Sequence, residues 1–501
     1  MEYSKVIKRE YEQLQGSAPL RITYQLVYLS TIDPRQCLDE FLRQNSTVQF
    51  IRIQWQDYSG LLRARIVALA HFRRLIESEK PLHAPPIGFH CVADNNLVPW
   101  LDPTGAHLLL PDYTSLRLLP GRSRYAVLMC GVVETRPSSP QPNWDLCPRH
   151  ALANVLRTAA TQFDVDFLVG FEVEFEILRR SSSPEEQEST LVPFSTGLGR
   201  YAVDGLRDPG FPLVEDAVQT LMEHGVDVQT IQTEGRRGQY EISLGPRPPL
   251  EAVDELVLVH DTLKEMFARR GYVVTMAPKP IPSRRQAIGQ HTHISIRSTT
   301  GAVVEERSFL AGILGRLPML CAVSLPYGLS YERVKPYLGG NQVAWGTENR
   351  EMPIRQIRPG HWELRCVDAT ANMYIALATV LSAGLLGISR KEPLRWEDTA
   401  LIPLDDQSQN GVHLSNGVNG SNGINGSNGA IQKPIKSSHE QLPESLEASL
   451  NALEHGGGLD DLTNMMGSRI LHQYLAVKRF ESSKLEQMEP QAARDLLTGL
   501  F

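Results

Sequence analysis

The chain has 501 residues, 42% of them hydrophobic, with a formal net charge of −7 and a sequence pI of about 6.1. That length supports one large core beside a smaller domain, and the acidic balance without a long basic run argues against a nucleic-acid partner. Six scattered cysteines (Cys37, Cys91, Cys130, Cys147, Cys321, Cys366) form no CxxC pair, which argues against a zinc site or a disulfide framework and fits a reducing compartment.

Residues 1–32 carry no sharp signal and read as an N-terminal extension. Their start, with Glu2, Lys5, Lys8, Arg9 and Glu10, is too charged for a secretory leader. Asp33-Pro34 opens a helix with Cys37, Leu38, Phe41 and Leu42 at helical spacing. A hairpin follows. Ile51, Ile53 and Trp55 alternate with polar residues, Asp57-Tyr58-Ser59-Gly60 turns, and Leu62, Ala64 and Ile66 alternate again. Pro137 to Pro142 reads as a linker, with a domain boundary there. Residues 33–136 are therefore expected to be one domain and 144–501 another.

Within the second region, Phe171 to Ile177 alternates Glu172, Glu174 and Glu176 against Phe171, Val173, Phe175 and Ile177. Strand side chains alternate faces, so the three acids share one. Crowded carboxylates favour cations among them, and magnesium among acids suggests phosphate chemistry; a solvated acidic face is the plainer alternative. Glu234 and Glu241 flank a Gly-containing turn. His291, His293 and Ser295 share a strand face, and two histidines so spaced suit a metal or phosphate. Arg333, Arg350 and Arg355 offer forks for carboxylate or phosphate, and Glu363 and Arg365 alternate with Trp362 and Leu364. Each pattern alone also fits an ordinary hairpin, a structural histidine or an ion pair. No P-loop, GxGxxG after a strand, GxSxG or HExxH occurs.

Met373 to Ile388 is apolar but carries Thr379, Ser382 and Gly384, and reads as a buried helix, so a cytoplasmic protein without membrane partners is expected. Asn-Gly repeats across 404–440 offer no apolar face and read as a disordered insertion. Leu446, Leu450 and Leu453 then share a helix face, and a last helix is expected from near Ile470 to near Met488.

Taken in order, these segments resemble the glutamine synthetase family in its long, type I-like form. The likeness covers the chain from about residue 33, apart from the Asn-Gly insertion. Gly170-Phe171-Glu172-Val173-Glu174-Phe175 is similar to the family's G-x-E-x-E-F strand. The resemblance implies an α+β fold: a small β-grasp domain followed by a large catalytic domain of the glutamine synthetase and guanido kinase type, with a curved antiparallel sheet. It implies Mg²⁺ or Mn²⁺ at Glu172, Glu174, Glu234, Glu241, His291 and Glu363, and ATP near His293, Ser295 and Arg355. Arg333 and Gly289 would contact the amino-acid substrate, while Arg350, Arg355 and Arg365 would act on the transferring phosphate or substrate. Asp57 would reach a neighbouring subunit's ammonium site, which implies a homo-oligomer with ring symmetry. The implied reaction activates the γ-carboxylate of L-glutamate, or an analogue, as an acyl phosphate and couples it to ammonia or a larger amine.

Two departures stand out. The family's flap glutamate has no counterpart, since no acid occurs between Arg333 and Glu348. The family's N-G-x-G-M-H reads Gln286-Ala287-Ile288-Gly289-Gln290-His291. These changes alter the ammonium and amino-acid contacts and leave the metal-type residues in place. A regulatory or scaffold relative without activity, and a kinase acting on another carboxylate or guanidino group, are the alternative readings.

Overall fold

The computed structural model describes residues 33–136, 139–181, 191–194, 200–235, 238–282, 286–400 and 440–501. The expected N-terminal extension and all but the last residue of the expected Asn-Gly insertion lie outside them. Helices and two mixed sheets make the expected α+β fold.

Helix α1 (Pro34–Gln44) begins where the sequence places it. The Asp33 carboxylate accepts from the Arg35 N–H at 2.9 Å, and Pro34 fills the first helical position. The hairpin of β1 (Phe50–Gln56) and β2 (Leu62–Ala68) also forms, with Gln56 opposite Leu62. After α2 (Leu69–Glu77) come β3 (Leu82–Ala84), β4 (Ala106–Pro111), β5 (Arg117–Leu119), β6 (Arg122–Arg136) and β7 (Ser139–Asn143). The order is β2-β1-β6-β4-β3, with β5 and β7 also on β6, and β1 parallel to β6. The expected linker at 137–142 is thus corrected in part: Ser139–Asn143 pairs with β6, with Asn143 opposite Glu134. Proline lacks an N–H and is tolerated on such an edge, so a Pro-rich stretch need not be a free linker.

The second sheet holds the site. Helix α3 (Pro148–Gln162) leads into β8 (Val165–Arg180), far longer than the seven residues read from sequence. Then follow β9 (Leu191–Pro193), α4 (Phe211–Glu223), β10 (Val228–Thr233), β11 (Gln239–Leu244), α5 (Pro249–Ala268), β12 (Val273–Thr275) and β13 (Thr292–Ser298). After α6 (Glu306–Leu314) and α7 (Leu317–Ser324) come β14 (Trp345–Thr347), β15 (Ile354–Arg358) and β16 (His361–Leu364). The order is β10-β11-β8-β13-β16-β15-β14, with β9 and β12 also on β8. All pairs are antiparallel except β14 with β15. Phe171, Val173, Phe175 and Ile177 enter the core as expected, but Glu174 and Glu176 are buried too. The acidic face of β8 is enclosed by protein, which removes the reading of a solvated face.

Helix α8 (Met373–Arg390) is long and apolar enough to cross a membrane, yet 83% of its apolar window is buried inside the fold. Asn372 caps it, its side-chain oxygen accepting from the Tyr374 and Ile375 N–H groups. It crosses α6 where Gly312 and Gly387 face each other; a Cβ on either would lie 2.8 Å from the other's Cα. Helices α9 (Leu446–His455), α10 (Leu459–Met466), α11 (Ile470–Leu485) and α12 (Pro490–Leu500) finish the chain. The sequence reading stops one helix short. Pro490, taken as a terminator, sits in the first turn of α12, where its missing N–H costs nothing, and Glu489 caps it. Gly387→Ala drives a Cβ into the Ser308 carbonyl. Overpacking of about 1–3 kcal/mol should exceed the roughly 1 kcal/mol gained in helix propensity. The melting temperature of this variant should therefore fall in a thermal unfolding scan.

Candidate metal and phosphate site

Strand register assembles the site. Glu241 on β11 lies opposite Glu174 on β8, and His293 on β13 lies opposite Glu363 on β16. Arg355 on β15 lies opposite Glu363 from the other side. Directly opposed residues share a face, so five strands aim acids, histidines and an arginine at one place. His291 stands just before β13. Its Nδ1 lies 2.9 Å from Glu172 Oε2, 3.3 Å from Glu363 Oε1 and 3.7 Å from Glu174 Oε1. His293 Nε2 is 3.2 Å from Glu172 Oε1. Ligand atoms of Glu172, His293 and Glu363 all fall within 4.8 Å of one another.

Arginines close the opposite flank. Arg355 donates to Glu363 Oε2 at 2.9 Å and pairs with Glu348, and Arg365 pairs with Glu363 Oε1. Glu363 has no exposed surface. Burial pushes its carboxyl up, but His291 and Arg365 outweigh this and hold it below its usual value. Glu172 behaves alike: burial raises it, and hydrogen bonds to His291 and His293 bring it well below the carboxylate range. On the far flank the compensation is too weak: the Gly235 N–H and the exposed Arg350 only partly offset the burial of Glu234. Burial, then the charge of Glu174, pushes Glu234 up to about 7. Burial, then Glu172 and Glu174, pushes Glu241 up to about 9.

This donor set fits a hard divalent cation. It offers carboxylate oxygens and imidazole nitrogens, and Glu234 Oε2 is buried without a hydrogen-bond partner among the described residues. Burial and neighbouring acids make Glu234 and Glu241 resist ionising, with only Arg350 working against them at Glu234. Cations held among Glu172, Glu174, Glu234, Glu241, His291 and Glu363 would supply the missing positive charge.

Other expected residues are distributed around this centre. Gly289 belongs to it: its N–H donates to Glu174 Oε2 at 2.7 Å, and a Cβ there would sit 2.5 Å from Arg333 Nη2. Arg333 is buried and packs on the segment after β16, donating to the Val367 carbonyl at 2.7 Å. Arg350 is exposed, within reach of Glu234's charge. Ser295 lies opposite His361, a step outward from His293. Glu176 is buried away from the cluster and accepts from Gln239 at 3.3 Å. Asp57 stands apart. Its carboxylate accepts from the Leu61 N–H at 2.9 Å and from Arg63 Nε at 2.6 Å, and its side chain has no exposed surface.

Two neighbours escaped the sequence reading. His361 Nε2 lies 3.1 Å from His293 Nδ1, and burial followed by the His293 charge lowers its pKa to about 4. Its place two residues before Glu363 was the available signal. Glu348 gave none; it meets Arg355 from a left-handed backbone, φ 54°. The segment in place of the family's flap is a tight turn: the Gly339 N–H donates to the Arg333 carbonyl at 2.8 Å and the Gly340 N–H to Lys335 at 3.0 Å.

Glu172→Gln should weaken Mn²⁺ binding at least about tenfold, read by calorimetry. Burial, against the pull of Arg63, raises Asp57 to about 6. A raised carboxyl makes the fold lose stability as pH climbs from the unfolded value, near 4, through about 6, and stay level above. Asp57→Asn lacks this slope. Its unfolding free energy relative to the unsubstituted chain should improve by about 1 kcal/mol between about pH 5 and about pH 7.5.

Comparison with known proteins agrees with this geometry. A family model described as glutamine synthetase, catalytic domain, matches residues 145–494. The chain is 31% identical over 499 residues to Protein fluG of Emericella nidulans, covering 98% of this chain and 53% of that protein. It is 31% identical over 319 residues to the gamma-glutamylpolyamine synthetase GlnA3 of Streptomyces coelicolor, covering 59% of this chain and 66% of that one. It is 26% identical over 474 residues to the glutamine synthetase of Methanocaldococcus jannaschii, covering 88% and 93%. The chain thus spans about half the length of the first relative and less than two thirds of the second's. Among solved structures, GmaS without ligand aligns with a TM-score of 0.72 at 22% identity, over 91% of this chain and 98% of that one, a likeness of fold.

Proposed function

The chain belongs to the glutamine synthetase family, and from that we propose that it is an ATP-dependent carboxylate–amine ligase acting on the γ-carboxylate of L-glutamate or a close analogue. The observation that carries this reading is the Glu363 carboxylate, enclosed between His291 on one side and Arg355 and Arg365 on the other. It joins the cation-type cluster to the two arginines in one continuous charged surface. Members of this family are ligases, and a retained ligand set of this completeness favours a working site over a scaffold.

A carboxylate is a poor electrophile because oxide would have to leave. Transfer of the ATP γ-phosphoryl group to a carboxylate oxygen gives an acyl phosphate. The amine nitrogen then attacks the acyl carbon, the C–O bond to phosphate breaks, and the amine loses a proton. Mg²⁺ or Mn²⁺, bound by the acids and His291, would neutralise charge on the phosphoryl oxygens. Arg355 and Arg365, each paired with Glu363, would stabilise the same oxygens. Arg333 would hold the carboxylate end of the acid. Burial of Glu174 and Glu363 would help keep water from the acyl phosphate.

We further propose that the nucleophile is larger than ammonia. The segment between Arg333 and Glu348 carries no acid to take a proton from ammonium and is folded into a compact turn. A relative described as a gamma-glutamylpolyamine synthetase supports the same direction. A ring assembly with Asp57 facing a neighbour's site belongs to this proposal with one condition: Asp57 would have to leave Arg63 to reach a second chain.

Phosphate release from ATP with Mg²⁺ and L-glutamate should depend on an added amine, with larger amines outpacing ammonia and a γ-glutamyl amide seen by mass analysis. Glu172→Gln should abolish the release. A chain that binds Mn²⁺ yet releases no phosphate with any amine or amino dicarboxylate would sink the ligase reading.

A further inference from the structure

Arg333 is among the largest fully buried side chains among the described residues. A guanidinium cannot shed its charge, so its burial demands a fixed anion close by. Burial weakens its hold on its proton, and Asp368 first, then Glu174, works against that, with Arg365 opposing them. Glu174 cannot be that fixed anion in a loaded site, because the proposed cations would claim its charge. Asp368 can. It has no exposed surface and lies three residues beyond Arg365, outside the cation cluster. Its Oδ1 accepts from the Thr370 N–H at 3.0 Å and from the Thr370 hydroxyl at 2.5 Å, and its own N–H donates to the Ser324 carbonyl at 3.3 Å. That leaves the carboxylate little freedom to turn.

Arg333 and Asp368 make no direct hydrogen bond or ion pair among the described residues; Arg333 is bound to the backbone just before Asp368. Arg333 donates Nη1 to the Val367 carbonyl at 2.7 Å and Nη2 to the Arg365 carbonyl at 3.4 Å. Arg333 Nε and Asp368 Oδ2 are both buried without a hydrogen-bond partner among the described residues. A guanidinium has five N–H groups, so a bidentate carboxylate in the fold would have consumed the geometry that an incoming carboxylate needs.

We propose that Asp368 is the positioning residue of Arg333, the fixed counter-charge that keeps the guanidinium in the fold with N–H groups still available to the acid substrate's carboxylate. This rests on the ligase reading for what Arg333 binds. The same turn reaches the first domain: Asn372 Nδ2 donates to the Asp57 carbonyl at 2.8 Å, and a Cβ on Gly60 would lie 2.5 Å from the Thr370 carbonyl oxygen. Docking of the first domain and the pose of Arg333 therefore meet in residues 368–372.

Two measurements on the full chain test this. The first is L-glutamate affinity by calorimetry with Mg²⁺ and a non-hydrolysable ATP analogue. Asp368→Asn should weaken it about tenfold or more, Thr370→Ala by a smaller factor, and nucleotide affinity should hold within about twofold in both. Equal losses of acid and nucleotide affinity, or acid affinity unchanged in both variants, would overturn the proposal. The second is a double-mutant cycle read by melting temperature. Asp368→Asn should lower it in the Arg333 chain and have little effect in the Arg333→Met chain. Equal shifts in both backgrounds would refute the pairing. Should the unsubstituted chain bind no amino dicarboxylate, the ligase reading fails, and the cycle alone decides whether Asp368 holds Arg333.

Discussion

Mutual repulsion of carboxylates sets the terms for this structure. Glu172, Glu174, Glu234, Glu241 and Glu363 come together from strands that the chain visits far apart, and most of their surface is withdrawn from water. Acids so placed cannot all ionise unless positive charge stands among them. On one flank the protein supplies it, through His291, Arg355 and Arg365, and the carboxyls there are held below their usual range. On the other flank Arg350 supplies too little, and Glu234 and Glu241 are driven up. This asymmetry gives the site a direction. Under the proposed reading, cations would sit beside Glu234 and Glu241, and anionic phosphate beside the arginines.

The same logic explains the long central strand. β8 pairs with β9, β11, β12 and β13, so its acids are flanked on both sides by donors from other strands. A shorter strand would leave one side open to water and lower the stake of every charge on it. The close crossing of α6 and α8 at Gly312 and Gly387 belongs to the apolar part of the same domain, where small residues let two backbones approach.

Much of this was legible before any coordinates. The capped helix at Pro34, the hairpin around Asp57 to Gly60, the alternation along Phe171 to Ile177 and the buried character of Met373 to Ile388 follow from local periodicity and turn chemistry. The metal-type residues were legible as motifs in order, because each is short and local. What escaped depends on register or on context. His361 and Glu348 join the site only through pairing of β13, β16 and β15. Asp368 enters the argument only because Arg333 folds back onto the Val367 carbonyl beside it. The strand at Ser139–Asn143 was masked by prolines that an edge tolerates, and α12 by a proline that starts a helix as readily as it ends one. The full burial of Asp57 depends on Arg63 and on packing, and no spacing rule announces it.

The wiring of β8 also bears on how the protein is made. This strand emerges well before most of its partners: β11, β12 and β13 lie progressively further along the chain, and β16 follows later still. A nascent chain that has passed Glu174 must emerge through Ser243 before β11 can pair with its acidic stretch, and through Ser298 before β13 can pair with Val165–Phe171. Non-local pairing of this kind is slow to form and prone to aggregation while it waits. Charged side chains on an exposed strand discourage mispairing, and Asp166, Glu172, Glu174 and Glu176 put four such charges along β8 while it waits for its partners.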